Sequence, residues 1–307
     1  GCLVGWTLST ACALSELVIE MSIRMSTALP RQNAKVQCAA WLAGQVTGAL
    51  IDEVMLAPKP GLVDPRHRGA HDDMHWQLLC RSAHALRPGF EAMAVAGYRQ
   101  PVSIALRERI GALGREAEAA MLTATGGVNT HRGAIWALGL LAVAAAQVPD
   151  DLAPASIAAR AGLLARIPDG AAPACTDHPG ERACRRYGVG GARGQAQAGF
   201  PHVVEAGVPT LRNTRANGGS EHAARLDALL AIMATLDDTC VLSRGGPDAL
   251  EAMQAGARRA LAYGCATLPG RRELRRLDRE LLARRVSPGG AADLLAASLL
   301  LDRISRS

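Results

Sequence analysis

The chain reads as a succession of Ala- and Leu-rich segments in helical rhythm, each ended by a junction that joins glycine or proline to charged residues. Between residues 34 and 57, Val36, Leu42, Val46, Leu50, Val54 and Leu56 fall on one broad apolar face, and Pro58-Lys59-Pro60-Gly61 then stops the helix. The same pattern predicts helices over 72–86, 102–122, 130–147, 155–166, 220–236, 247–263 and 271–284, with a last one after Ser287-Pro288-Gly289-Gly290. Only 3% of residues are aromatic and β-branched residues are sparse, a mixture that favours close-packed helices over sheets. With 307 residues, 49% of them hydrophobic, the chain can bury a substantial core. The expected fold is therefore all-α, a single compact multi-helix domain whose active site is formed by the inter-helix loops. Residues 1–33 are expected to be an N-terminal extension outside the domain, and residues 34–307 the domain itself.

Several classes drop out on simple grounds. The apolar stretches before residue 19 lack a basic leader and carry Glu16, which argues against export. The apolar run 134–148 is too short for a comfortable membrane span and fits a buried helix. The eight cysteines (Cys2, Cys12, Cys38, Cys80, Cys175, Cys184, Cys240, Cys265) form no CxxC pair. They read as reduced, buried thiols in a cytoplasmic protein. A formal charge of +6 points to an anionic partner without choosing among nucleic acid, lipid and a polyphosphate small molecule.

Chemistry is concentrated at the junctions. Thr125-Gly126-Gly127-Val128-Asn129-Thr130-His131-Arg132-Gly133 ends where an apolar helix begins, so its glycines can expose backbone N–H groups while Asn129 or Thr130 caps the helix. His131 and Arg132 would then sit in the first helical turn, where a cation is unfavourable against the dipole unless an anion binds there. Taken alone the segment is an ordinary glycine loop, since it is not a Walker A sequence. Lys59, between two prolines, and Arg244, beside two glycines, are further candidate phosphate ligands. His71-Asp72-Asp73-Met74-His75 is not HExxH, and carboxylates near phosphate seats suit magnesium better than a histidine-bound transition metal. Asp72, Asp73 and Asp238 are the expected metal ligands. For Asp72 and Asp293 helix capping is a sufficient alternative. Asp237-Asp238 is harder to dismiss, because neighbouring carboxylates stay charged cheaply only beside cations. Glu53, Glu116 and Glu118 are available for proton transfer. The long Gly-, Pro- and Arg-rich segment 167–201 is expected to be an irregular active-site loop.

As an ordered set these junctions resemble the triphosphoribosyl-dephospho-CoA synthase family. The resembling blocks are Glu53-Val54 with Pro58 to Asp64, then Gly69-Ala70-His71 with Asp73-Met74, Ala117-Glu118 with Met121-Leu122, and Gly127 to His131 with Gly133-Ala134. Later come Gly191 to Gly194, Gly199-Phe200-Pro201, Asp238-Thr239, Arg244 to Gly246, and Ser287 to Gly290 with Ala292 to Leu295. The resemblance runs from Ala34 to Asp302. It departs at His75, where an acidic residue is usual, at Gln195 for Glu, at Arg132 for Lys and at Ala291 for Ser.

The resemblance implies an enzyme that transfers the triphosphoribosyl group of ATP to a ribose hydroxyl of 3′-dephospho-CoA and releases adenine. Its product would be the prosthetic-group precursor for the acyl carrier protein of malonate decarboxylase or citrate lyase. The residues around Arg81-Ser82-Ala83 and Leu86-Arg87-Pro88 look more like the malonate branch. Breaking a glycosidic C–N bond through an oxocarbenium-like state needs an acid, a base and nearby anions. Glu53, Glu118 and Asp293 are the expected catalytic carboxylates. Magnesium is the expected cofactor, and Lys59, Gly126, Gly127, Asn129, Thr130, His131, Arg132 and Arg244 are the expected nucleotide-binding residues. Two other readings stand beside this one. A magnesium-dependent helical ADP-ribosyl hydrolase would put water where the acceptor goes. A basic helical nucleic-acid-binding protein would use the arginines from Arg271 to Arg285, although Glu273, Asp278 and Glu280 are interleaved with them.

Overall fold

The computed structural model describes residues 32–173 and 176–306. Every regular element among them is helical, and the one β-type pairing is an isolated bridge between Asp64 and His67. Residues 1–31, with Cys2 and Cys12, and Cys175 lie outside the described residues.

Helix α1 spans residues 32–55 and buries Leu42, Val46, Leu50 and Val54. It is followed by α2 (Trp76–Gly97), α3 (Ile104–Thr125), α4 (Arg132–Gln147) and α5 (Pro154–Arg166). The second half holds α6 (Pro179–Tyr187), α7 (Gly191–Gln197), a π-helical turn His202–Gly207, α8 (Val208–Ala216) and α9 (Glu221–Met233). Last come α10 (Thr239–Tyr263), α11 (Leu268–Ala283) and α12 (Gly289–Ile304).

The centre is made by α4, α9 and α12, which are apolar nearly all round and bury almost every residue, as interior helices do. Helix α12 packs against α4 and α9, while α2, α3 and α5 cover α4, and α10 and α11 cover the opposite side. Small residues set these distances. At Gly97 an added Cβ would lie 2.8 Å from the Val143 side chain, so α2 and α4 approach closely because that position carries no side chain. No described helix is long and apolar enough to cross a membrane.

Three boundaries differ from those expected. Helix α2 begins at Trp76 because His75 caps it, its Nδ1 accepting the Leu78 N–H at 3.3 Å, and it runs through Pro88 to Gly97. Buried Leu86, Phe90, Met93 and Ala94 lie on both sides of the proline, so packing outweighs the missing backbone bond. The segment 167–201 is not irregular: it holds α6 and α7, each started or ended by proline or left-handed glycine and each too short to show a period. Helix α10 has a first limb before the expected one, broken at Gly246 (φ 68, ψ −168), whose conformation only glycine adopts readily.

Candidate active site

Four helix ends meet at one place. At the end of α1, Glu53 receives the Lys59 ammonium: Nζ donates to Glu53 Oε1 at 2.5 Å and to its carbonyl oxygen at 2.7 Å. Lys59 is 1% exposed, so this is a buried ion pair. The loop that carries it is tied down on both sides. Asp64 Oδ2 accepts the Lys59 N–H at 3.0 Å, and Asp64 is itself gripped by Arg66, Nη2 to Oδ2 at 2.7 Å. Gly61 donates its N–H to Asp278 Oδ1 of α11 at 3.0 Å, and a Cβ there would stand 2.6 Å from the Val286 carbonyl oxygen. Burial pushes the Glu53 carboxyl above its ordinary range, with Lys59 pulling the other way.

Next to this pair stands the start of α4. His131 is buried, and its Nδ1 lies 2.8 Å from Ser82 Oγ, which in turn lies 2.6 Å from Thr130 Oγ1. Burial, then the nearby Lys59 charge, lowers its pKa to about 4, so the ring is neutral at pH 7. The N-cap of α4 is His131 and not Asn129 or Thr130 as expected, and Asn129 Oδ1 accepts the Arg132 N–H from the loop at 3.3 Å. Gly126 and Gly127 (φ 67 and 90) both donate their N–H groups to the Leu122 carbonyl, closing the end of α3. Arg132 forms an ion pair with Glu118 of α3, and its Nη1 meets His178 Nδ1 at 2.5 Å. Glu118, Arg132 and Asn129 therefore form one corner between α3, α4 and the start of α6.

The other two ends are those of α10 and α12, joined through Asp238. This buried carboxylate caps α10, Oδ1 accepting the Cys240 N–H at 2.8 Å and the Val241 N–H at 3.4 Å, while Oδ2 accepts the Ala291 N–H of α12 at 2.9 Å. Burial raises its pKa and the backbone bonds oppose the rise. Asp293 follows two residues further along α12 and reaches the start of α4: a Cβ on Gly133 would lie 2.1 Å from its Oδ2. It makes no hydrogen bond or ion pair with a described residue. Burial, Glu53 and Asp238, in that order, push its carboxyl well above the usual carboxylate range.

At the rim, Arg244 donates to the Ala70 carbonyl at 3.2 Å and meets His71 Nδ1 at 3.4 Å, and His71 lies 3.6 Å from Asp73 Oδ1. Burial and the Arg244 charge lower the His71 pKa, with Asp73 opposing. Arg244, Asp238 and Asp293 all act electrostatically on Cys240, which links this rim to the inner carboxylates. Asp72 points away, 91% exposed and paired with Arg285 at 2.9 Å. The free thiols of Cys38, Cys80, Cys184, Cys240 and Cys265 are all pushed up, chiefly by burial. They are poor nucleophiles.

Among the described residues no group of three or more His, Cys, Asp or Glu side chains is placed to hold a metal ion. The oxygens of Asp238 are engaged by backbone donors, so an all-protein cage does not fit. Magnesium commonly takes one or two carboxylates and completes its shell with substrate phosphate and water. Asp73, 60% exposed at the rim, and the unpaired Asp293 fit that mode.

The structure thus brings Glu53, Lys59, Thr130, His131, Asp238 and Asp293 into one cluster and puts Asp73 and Arg244 at its edge. Ser82, Asp64 and Asp278 are supporting residues that sequence reasoning passed over as site residues. A hydroxyl in the apolar stripe of α2, between Leu78 and Leu86, was the readable signal for Ser82.

Fold and site together define an all-helical protein that gathers the carboxylates Glu53, Asp238 and Asp293 at its helix ends. Residues 39–307 match the CitG family, described as ATP:dephospho-CoA triphosphoribosyl transferase, and the chain belongs to that family. A Klebsiella pneumoniae relative named 2-(5''-triphosphoribosyl)-3'-dephosphocoenzyme-A synthase is 55% identical over 267 residues, covering 87% of this chain and 95% of its own. A relative from Stutzerimonas stutzeri, named a probable synthase of the same kind, is 56% identical over 283 residues, 92% of this chain and 97% of its own. One from Azotobacter vinelandii with that same name is 57% identical over 264 residues, 85% and 90% of the two chains. No solved structure matches the chain. Family membership leaves the hydrolase and nucleic-acid readings without support.

Proposed function

We propose that this enzyme transfers the triphosphoribosyl group of ATP to a ribose hydroxyl of 3′-dephospho-CoA, releasing adenine, and that the reaction takes place beside Asp293. The bond from the ATP ribose to the adenine nitrogen breaks, and a bond from the same carbon to the acceptor oxygen forms. The hydroxyl loses a proton and the departing adenine gains one, so the chemistry calls for a carboxyl able to exist in either form near neutrality. The observation that carries the reading is Asp293: a carboxyl at the start of α12 set against Gly133 of α4, pushed up by burial and two neighbouring carboxylates, with no hydrogen-bond or ion-pair partner among the described residues.

Glu53, held by Lys59, supplies negative charge where the ribosyl carbon becomes cationic. Neutral His131, oriented by Ser82, offers a donor or acceptor without adding positive charge. Glu118 acts by aiming Arg132 from the corner of α3 and α4. Arg244, Arg132 and the N-terminal turn of α4 around Asn129 and Thr130 face the triphosphate, and Gly126 and Gly127 shape the approach to that turn. Magnesium bound to the triphosphate would neutralise part of its charge, and Asp73 would hold that ion at the rim, whereas Asp72 is turned to Arg285 and the Asp238 oxygens are taken by backbone N–H groups.

Free thiols among the described residues support a cytoplasmic setting. The product supplies the prosthetic group of an acyl carrier protein, with malonate decarboxylase favoured by the residues at 81–88. Incubation with ATP, magnesium and 3′-dephospho-CoA tests the reading by mass spectrometry of the acceptor. A gain of one triphosphoribosyl unit with equimolar adenine is expected. Adenine release at the same rate without acceptor would overturn it.

A further inference from the structure

We propose that the cavity between α9, α11 and the loop after α1 is a polyphosphate-binding site, separate from the Asp293 pocket. The cavity has a volume of about 490 Å³, and its walls include Pro58 and Arg66 from the loop, Ser220 and His222 at the start of α9, and Arg271 and Arg275 on α11. A second hollow of about 550 Å³ shares Arg66 and Arg275 and adds Arg272, Arg276 and Arg279 together with Glu273 and Asp278. Sites for nucleotide-sized ligands fall at roughly 300–1,000 Å³.

The charge in this groove is only partly compensated: Arg66 is paired with Asp64 and Asp278, and Arg276 faces Glu273. By sequence, Glu273, Asp278 and Glu280 should neutralise the arginines of α11, but the structure pairs them with only Arg276 and Arg284 of that set. Glu273 faces Arg259 at 3.5 Å and Arg276 at 3.8 Å, and Glu280 faces Arg284 at 3.4 Å. Asp278 turns inward to the Gly61 N–H, to Arg66 and to His67. Arg271, Arg272, Arg275 and Arg279 are left with no carboxylate partner among the described residues. Their side chains are bonded, where at all, only to carbonyls of their own helix: Arg275 Nε to Arg271 O at 3.2 Å and Arg279 Nε to Arg275 O at 3.4 Å. Like charges spaced three and four residues apart repel along a helix, and a bound anion removes that cost. Guanidinium groups so gathered match phosphate oxygens in pairs. Ser220, capping α9 through the Ala223 N–H at 3.2 Å, places the positive end of a helix dipole at the opposite wall.

The cavity shares the Lys59 loop with the catalytic pocket. Pro58 lies on the cavity side and Lys59 on the other, and Arg66 reaches Asp64, which accepts the Lys59 N–H. A phosphate drawn to Arg66 and Arg275 therefore bears on the segment that holds Lys59 against Glu53.

Polyphosphate can come from the triphosphate of ATP or from the diphosphate of a CoA-type acceptor. Isothermal titration with inorganic tripolyphosphate reads the site directly, without turnover, so its result stands apart from the proposed reaction. We expect the wild-type protein to bind tripolyphosphate with an affinity that falls as salt rises. Arg271→Ala with Arg275→Ala, both exposed, should weaken it at least tenfold, and Arg271→Lys with Arg275→Lys should recover part of the loss. Titrating ATP and 3′-dephospho-CoA separately names the source as the nucleotide whose affinity falls with the alanine pair. Wild-type affinity for tripolyphosphate in the alanine pair would overturn the proposal. So would duplex RNA binding by a wild-type protein that ignores tripolyphosphate. Polyphosphate binding by a protein that forms no triphosphoribosyl product would uphold this site and sink the reaction.

Discussion

Replacing Asp238 separates two accounts of that residue. In the structure it is a brace: one oxygen caps α10 and the other takes the Ala291 N–H of α12. Asp238→Ala removes an N-cap, worth about 1 kcal/mol. It also leaves the buried Ala291 N–H without an acceptor, worth about 2 kcal/mol, and removes a charge from two helix N-termini, worth about 1 kcal/mol. Against this, the buried charge itself is costly, as its raised pKa shows, so the loss is smaller than the sum of these contributions. The net expectation is a loss of about 3 kcal/mol, or a fall in Tm of about 6–12 °C for a domain of this size. Asp238→Asn keeps one acceptor and should cost about half as much. Gly290 supplies an internal check, because a Cβ there would lie 3.1 Å from Asp238 Oδ2, an oxygen too firmly held to move. Gly290→Ala should therefore destabilise the wild type by about 1 kcal/mol and the Asp238→Ala protein hardly at all, a coupling that a double-mutant cycle reads. Urea unfolding followed by far-UV circular dichroism measures all four proteins. If Asp238→Ala unfolds within about 1 kcal/mol of wild type and its activity returns with added magnesium, the brace is wrong and Asp238 is a metal ligand.

Asp293→Asn should lower kcat about a hundredfold or more while raising stability at neutral pH. The folded-state pKa of Asp293 lies above the unfolded value near 3.8, so the folded protein holds the proton longer and loses stability as pH rises between the two. Unfolding free energies of wild type and variant should converge below the unfolded pKa and separate above it; a variant less stable than wild type at pH 7 would contradict this. His131 behaves in the opposite sense: its folded pKa is about 4 against 6.5 unfolded, so wild type loses about 3 kcal/mol relative to His131→Gln as pH falls through that window. Equal pH slopes in the two proteins would refute the buried neutral ring. Gly133→Ala should cost activity as Asp293→Asn does, because its methyl group would lie 2.1 Å from the Asp293 carboxylate. Steady-state kinetics on that variant should show kcat reduced with the fold intact by circular dichroism.

Much of the fold was legible because long helices announce themselves by period and by their ends. The helix expected over 155–166 matches α5 to within one residue at its start, and α4 begins where the Thr125–Gly133 junction hands over to an apolar run. Short helices do not carry enough residues to display a period, which is why α6, α7 and the turn His202–Gly207 were unreadable. Pro88 misled because its local penalty is visible in sequence while the burial of Phe90 and Met93 that outweighs it is not. Within the site, residue types were legible and pairings were not. Nothing in the sequence says that Lys59 folds back on Glu53, that Arg132 turns to Glu118, or that Asp238 faces two helix N-termini. Such choices are made by which helix ends meet, and that is long-range information.

The pocket's charge also constrains how a nucleotide can enter it. Glu53 and Asp238 both act on Asp293, and the buried ammonium of Lys59 is spent on Glu53, so the interior repels phosphate. A ribosyl centre gaining positive charge is what such an interior stabilises, since the low local dielectric strengthens that attraction as it strengthens the repulsion. Cations lie outside: Arg244 at the rim, Arg132 at the corner of α4, and the arginines of α11 across the Lys59 loop. The triphosphoribosyl group should therefore lie with its sugar carbon inward against the carboxylates and its phosphates outward against guanidinium. On this geometry Lys59→Met raises the repulsion inside without touching the outer cations, so kcat should fall far more than the affinity for ATP. Equal losses in both would mean that Lys59 binds phosphate and that the orientation is reversed.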